Sequence, residues 1–177
     1  MIKPESLRAA LTAALPVFAR DPDALKMWID RGTIHARHGP TPDQPGAFEY
    51  RYTLNLVVEG WQDHPSLIML AINAWAAINQ PDLLAGSRDQ SYTFEADIID
   101  AATVDLSLEL PMTEAVRVTP RVGGGFDLLH LAEETPLLPD EAPLITPETL
   151  LAEIWWKGER LIPEPPLPAT PLPDVAP

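Results

Sequence analysis

Apolar and polar residues alternate without a break from Phe48 to Val58. Phe48, Tyr50, Tyr52, Leu54, Leu56 and Val58 fall on one face, and Glu49, Arg51, Thr53 and Asn55 on the other. That period of two predicts a β-strand covered on one side. At about 3.3 Å per residue it would run roughly 36 Å, beyond the usual five or six residues, so part of it is expected to serve a neighbouring subunit. Gly60-Trp61-Gln62-Asp63 turns the chain, and Pro65 opens a helix from Ser66 to Asn79. Leu67, Leu70, Ala71, Ala74, Trp75 and Ile78 form one stripe of this helix, but Ile68, Met69, Ile72 and Ala76 fill much of the opposite side. A helix apolar nearly all round needs a cover on both faces, and the expected second cover is another copy of the chain. Leu67, Ile68, Ile72 and Trp75 are therefore its candidate interface residues.

The same patterning predicts a first helix from about Pro4 to Leu15, with Leu7, Leu11, Ala14 and Leu15 inward and Pro16 as its stop. Leu25 to Ile29 and Thr33 to Arg37 read as a hairpin turning at Asp30-Arg31-Gly32. His38 to Ala47, rich in Pro and Gly, reads as a loop. Tyr92 to Ile99 is a second long-range strand and Thr103 to Leu110 a third; Ala115 to Val122 and Phe126 to Leu131 form a last hairpin around Gly123-Gly124-Gly125. The fold class expected is α+β: a mostly antiparallel sheet of five to seven strands packed by two helices, with a Pro-rich extended C-terminal arm.

Four segments follow one another along the chain: Lys3-Pro4-Glu5-Ser6-Leu7-Arg8 with Ala14-Leu15-Pro16, then Phe48 to Leu54, then Asn79-Gln80-Pro81-Asp82-Leu83-Leu84, then Thr93-Phe94-Glu95-Ala96-Asp97-Ile98. Together, in this order, they resemble the tail completion protein R family of contractile-tailed phages. None is a catalytic motif; the specificity lies in their joint occurrence across most of residues 1 to 132. The resemblance implies a tail terminator or completion role without enzymatic activity or cofactor. A ring of copies, typically six, would cap the tail tube and sheath and present a surface to the head-connector proteins.

Composition permits that role. The chain of 177 residues is long enough for one domain with a real core and an appendage. It has no Cys, which excludes a disulfide scaffold and cysteine-ligated zinc and fits assembly in a reducing cytoplasm. The start lacks an apolar signal core and no apolar run reaches membrane-spanning length, so a soluble, unexported protein is expected. With 12 Lys and Arg against 26 Asp and Glu, a net charge of −14 argues against binding nucleic acid by phosphate neutralisation. A lumen lined with carboxylates would instead let DNA pass without specific binding; the alternative is that the acidity serves solubility.

The organisation changes near residue 133. Residues 1–132 carry the elements above, whereas residues 133–177 hold 11 of the 21 Pro and nine acidic residues against Lys157 and Arg160. A packed core cannot be built from that composition. Within it, Thr146-Pro147-Glu148 is able to cap a short helix, and Ile154 to Ile162 reads as a hairpin turning at Lys157-Gly158. Trp155, Trp156 and Ile162 are candidate anchors for a partner's pocket.

Catalytic signals are weak. His35 and His38 are three apart on a strand end and lack a compatible third ligand. His64 precedes Pro65 at a helix entrance, and His130 is expected on an outer strand face. Glu95 and Asp97 project from one strand face, with Asp100 and Asp105 following, so a small carboxylate-dependent hydrolase or ligand-binding domain is the alternative function. Another joining protein of the same neck is a third reading. Gly123-Gly124-Gly125 lacks the Lys-Ser/Thr of a phosphate-binding loop and reads as a hairpin tip.

Overall fold

The computed structural model describes residues 1–39, 41, 44–84 and 91–133, together with the backbone of strand residues 155–156 and 159–160. Helix α1 (Lys3–Ala14) and a single-turn α2 (Val17–Arg20) lead into β1 (Leu25–His38) and β2 (Pro45–Trp61). Helix α3 (Ser66–Asn79) follows, then β3 (Thr93–Ile98), β4 (Val104–Pro120) and β5 (Phe126–His130). All five strands form one antiparallel sheet in the order β1-β2-β4-β3, with β5 beside the far half of β4. The fold is thus α+β with a mostly antiparallel sheet, as its patterning predicts.

Cross-strand partners share a face, so the register builds the core in rows. Leu25–Val58–Leu106, Met27–Leu56–Leu108 and Ile29–Leu54–Leu110 each run across β1, β2 and β4. Leu7 and Leu11 of α1, Phe18, and Ile68, Ile72 and Trp75 of α3 join the same core cluster. Each such side chain taken fully from water contributes about 1.5–3 kcal/mol.

Two predicted breaks are absent. β1 runs continuously through Asp30-Arg31-Gly32, where the pairing skips from Ile29↔Leu54 to Gly32↔Tyr52, a bulge in place of the expected turn. β4 runs continuously from Val104 through Pro111 to Pro120, merging two expected strands. Pro111 is tolerated because of where its nitrogen points. The Thr113 N–H donates to Gln80 Oε1 rather than to β2, so the nitrogen two residues earlier faces the same outer side, in the gap between β3 and β5. No ladder bond is lost there.

The long strand also has a different reason for its length. β2 extends over 17 residues and is paired on both sides, to β1 and to β4, so its reach is used within its own chain.

Candidate assembly surfaces

Leu67, Ile68, Ile72 and Trp75, expected at a contact with another copy, are covered within their own chain. They are 3%, 0%, 0% and 3% exposed within the single chain. The second cover of α3 is α1: the two helices pack together, and Trp75 Nε1 donates to Ser6 Oγ at 3.0 Å. The all-round apolarity of α3 therefore reports a helix packed both on the sheet and against another helix of its own chain. The backbone of Trp155 and Trp156 pairs with Arg160 and Glu159 as the short hairpin β6–β7. The side chains of Trp155 and Trp156, and Ile162 itself, lie outside the described residues, as does Thr146-Pro147-Glu148, where the sequence predicts a helix cap.

Surface apolarity is found elsewhere. Phe94 and Ile98 on β3 are 61% and 82% exposed, Ile34 on β1 and Leu128 on β5 both 64%. By register these positions lie on the same face as the core rows, since Phe94 pairs with Leu108, Ile34 with Tyr50 and Leu128 with Val118. The helical layer covers the centre of the sheet and leaves its margins bare.

The opposite face of the sheet is polar and divided by charge. At the β3 margin, Glu95, Asp97, Asp105 and Glu109 share this face. Toward and along β1 lie Lys26, Arg31, His35, Arg37 and, on β2, Arg51, interleaved with Asp30, Glu49 and Glu59. Lys26 Nζ contacts Glu59 at 2.5 Å, and Arg51 pairs with Glu49. An open groove of about 430 Å³ is lined by Arg31, Thr33, Arg51, Thr53, Thr113 and Asp82.

One polar cluster lies inside. Glu114 is 2% exposed on the core face of β4. Its carboxylate accepts from Tyr52 Oη at 2.5 Å and from the backbone N–H groups of Ile2 at 2.8 Å and Lys3 at 3.3 Å. These N–H groups open α1, which has no local side-chain cap, so a residue more than a hundred positions away supplies one. Burial pushes the Glu114 carboxyl up, but the Tyr52 hydroxyl, the Ile2 and Lys3 amides and the N-terminal charge together hold it below its ordinary value. The Tyr52 hydroxyl is raised well above its ordinary value, first by burial and then by its bond to the Glu114 carboxylate. Lys3, also buried, donates from Nζ to Gln80 Oε1 at 2.7 Å and to Glu133 Oε1 at 2.6 Å. Gln80 closes the gap in the sheet edge, donating from Nε2 to Thr113 Oγ1.

His130 belongs to this cluster rather than to the outer face expected for it. It pairs in register with Val116, and its Nδ1 lies 3.2 Å from Glu114 Oε2 without hydrogen-bond alignment. Sequence reasoning missed Glu114 altogether. The signal was its place in the alternation Leu106, Leu108, Leu110, Met112, Glu114, Val116, which becomes visible once β4 is read through Pro111.

The weak catalytic signals do not converge. Glu95 and Asp97 do share a face, but both are exposed on a marginal strand. Asp100 is committed to a turn, where the Ala102 amide it accepts from holds its carboxyl below the usual range. His35 pairs with Glu49 in the ladder and His38 with Pro45; His64 Nδ1 accepts from the Ser66 amide at the entrance of α3. Among the described residues no group of three or more His, Asp or Glu is placed to hold a metal ion. No described helix is long and apolar enough to cross a membrane. Gly123, Gly124 and Gly125 all have positive φ and form the tip of the β4–β5 hairpin.

Comparison with known proteins agrees with a structural reading. A family model described as P2 phage tail completion protein R matches residues 1–134. The chain is similar to tail completion protein R of Escherichia phage P2, with 35% identity over 146 residues, covering 81% of this chain and 91% of the relative. No solved structure matches the chain.

Proposed function

The chain belongs to the P2 phage tail completion protein R family, and from that premise we propose that copies of it close a ring, six in number, that caps the finished tail tube and sheath and joins the tail to the head connector. Family membership makes the protein a structural component of a phage tail that acts in virion assembly. The ring, its copy number and its contacts are the finer reading.

The observation that carries it is the bare margin of the sheet. A chain of this size that completes its own core around α3 and still leaves Phe94, Ile98, Ile34 and Leu128 in water has apolar area to spend on neighbours. In this reading the acidic arm, residues 133–177, serves as the docking segment, with Trp155, Trp156 and Ile162 anchoring on a tail or connector protein. The ring acts without catalysis, and DNA passes through an acidic lumen that does not retain it.

Withholding the protein during phage assembly and imaging the products by negative stain tests the role. Tails that fail to join heads, restored when the chain is supplied, are expected. Tails that finish and join normally in its absence overturn the reading. Light scattering of the purified protein tests the ring, for which a mass of about six copies is expected.

A further inference from the structure

We propose that β3 of one copy adds to the outer edge of β1 of the next, so that neighbouring copies join their sheets head to tail with Glu95 and Asp97 set against Arg31 and Arg37. This deepens the ring reading and rests on it, because it names the surfaces that would make the ring.

The two edges are the ends of one sheet. Along the path β1-β2-β4-β3 no described strand pairs with the outer side of β1 or of β3. Each therefore presents a row of backbone donors and acceptors that another strand is able to satisfy. The six residues of β3, paired along their length, would exchange about six hydrogen bonds with β1.

Direction is compatible as well. All neighbours on the path are antiparallel and the path holds four strands, so β1 and β3 run in opposite senses. Copies related by rotation about an axis near the strand direction keep their sense. The β3 of one copy then meets the β1 of the next antiparallel, and the sheet continues through the seam without a change of pattern. Since the contact joins two different surfaces, it is heterologous, the class that closes into rings.

Side chains complement one another on both faces of such a seam. On the core face, β3 brings Phe94, Ala96 and Ile98, and β1 brings Met27, Ile29 and Ile34, of which Ile34, Phe94 and Ile98 are exposed in the single chain. On the other face β3 is wholly acidic in its charges, Glu95 and Asp97, while β1 carries Arg31 and Arg37 against the single carboxylate Asp30, Lys26 being paired with Glu59 of its own chain. With β3 laid along Gly32 to Arg37, the apolar row would continue through Ile34, and Glu95 and Asp97 would lie diagonal to Arg37 and Arg31. The same arrangement disfavours β1 against β1 and β3 against β3, which would set like charges together.

Two charge-reversed full-length variants test this. One carries Arg31→Glu and Arg37→Glu; the other carries Glu95→Lys and Asp97→Lys. Each alone is expected to weaken self-association at least about tenfold, read by light scattering and sedimentation, with the wild-type contact itself weakening as salt is raised. Mixing the two is expected to restore the wild-type mass, because every seam in an alternating ring again joins an acidic edge to a basic one. That restoration also shows that both variants fold. Variants that keep the wild-type mass, as would follow if residues 134–177 of the same chain covered these edges, overturn the proposal and leave the ring standing. A mixture that stays dissociated overturns it too. A wild-type protein that is monomeric at every concentration removes the ring reading itself.

Discussion

Leu108 and Phe94 are direct partners across β4 and β3, on the same face of the same sheet, yet one is 0% and the other 61% exposed. Their strands have the same alternation and their side chains the same chemistry. What separates them is the footprint of the helical layer, whose edge falls between the two strands. Amphipathic alternation reports which face a side chain takes; only the position of the layer above decides whether that face is dry. The helix-covered centre is therefore a stability region, and the uncovered margin is surface available to partners.

Substitutions that separate these two regions range from large effects to nearly none. Leu108→Ala is expected to lower unfolding free energy by about 2–5 kcal/mol in urea titration, as for any fully buried leucine replaced by a cavity. Glu114→Ala strands the Tyr52 hydroxyl and two amides at the head of α1, and a loss of about 3 kcal/mol is expected by the same measurement. An unchanged midpoint would mean that water replaces the carboxylate and that the cluster is not interior.

The pH dependence sharpens the point. Because the folded Glu114 carboxyl sits below its ordinary value near 4.5, its contribution is present above that pH and is lost as pH falls through the folded value. Because the Tyr52 hydroxyl is raised above its ordinary value near 10, its contribution is full below pH 10 and is lost as pH climbs past it. Melting curves of Glu114→Gln are expected to have a flatter acid limb than the wild type.

Smaller effects follow at the surface. Gly60 has φ +65° with open space around it, so Gly60→Ala meets only backbone strain and is expected to cost about 1 kcal/mol. Phe94→Ala is expected to change stability by no more than about 0.5 kcal/mol while weakening self-association. A loss as large as that of Leu108→Ala would erase the distinction between centre and margin.

Local chemistry made much of this fold legible. The limits of α3 follow from Pro65 and Pro81 at its ends, and the inward face of β2 follows from alternation alone. The misreadings have physical causes. Asp30-Arg31-Gly32 looks like a turn because a bulge and a turn use the same residue types, and only the partner strand tells them apart. The strand expected to stop at Leu110 runs on through Pro111 because of a gap between β3 and β5 that no local pattern records. Trp75 looked like an interface because α1, its cover, lies some seventy positions earlier in the chain. Glu114 drew no notice because its partners are Ile2, Lys3 and Tyr52, which no spacing rule connects to it.

The distant cap on α1 has a consequence for synthesis on the ribosome. The helix that emerges first has no side chain of its own to hold its opening amides, and the helix that shields it and the carboxylate that ends it are both translated later. Its docking must wait for β4. Nascent chains halted before Glu114 are thus expected to leave this first segment unprotected against proteases, and those that extend past β4 to shelter it.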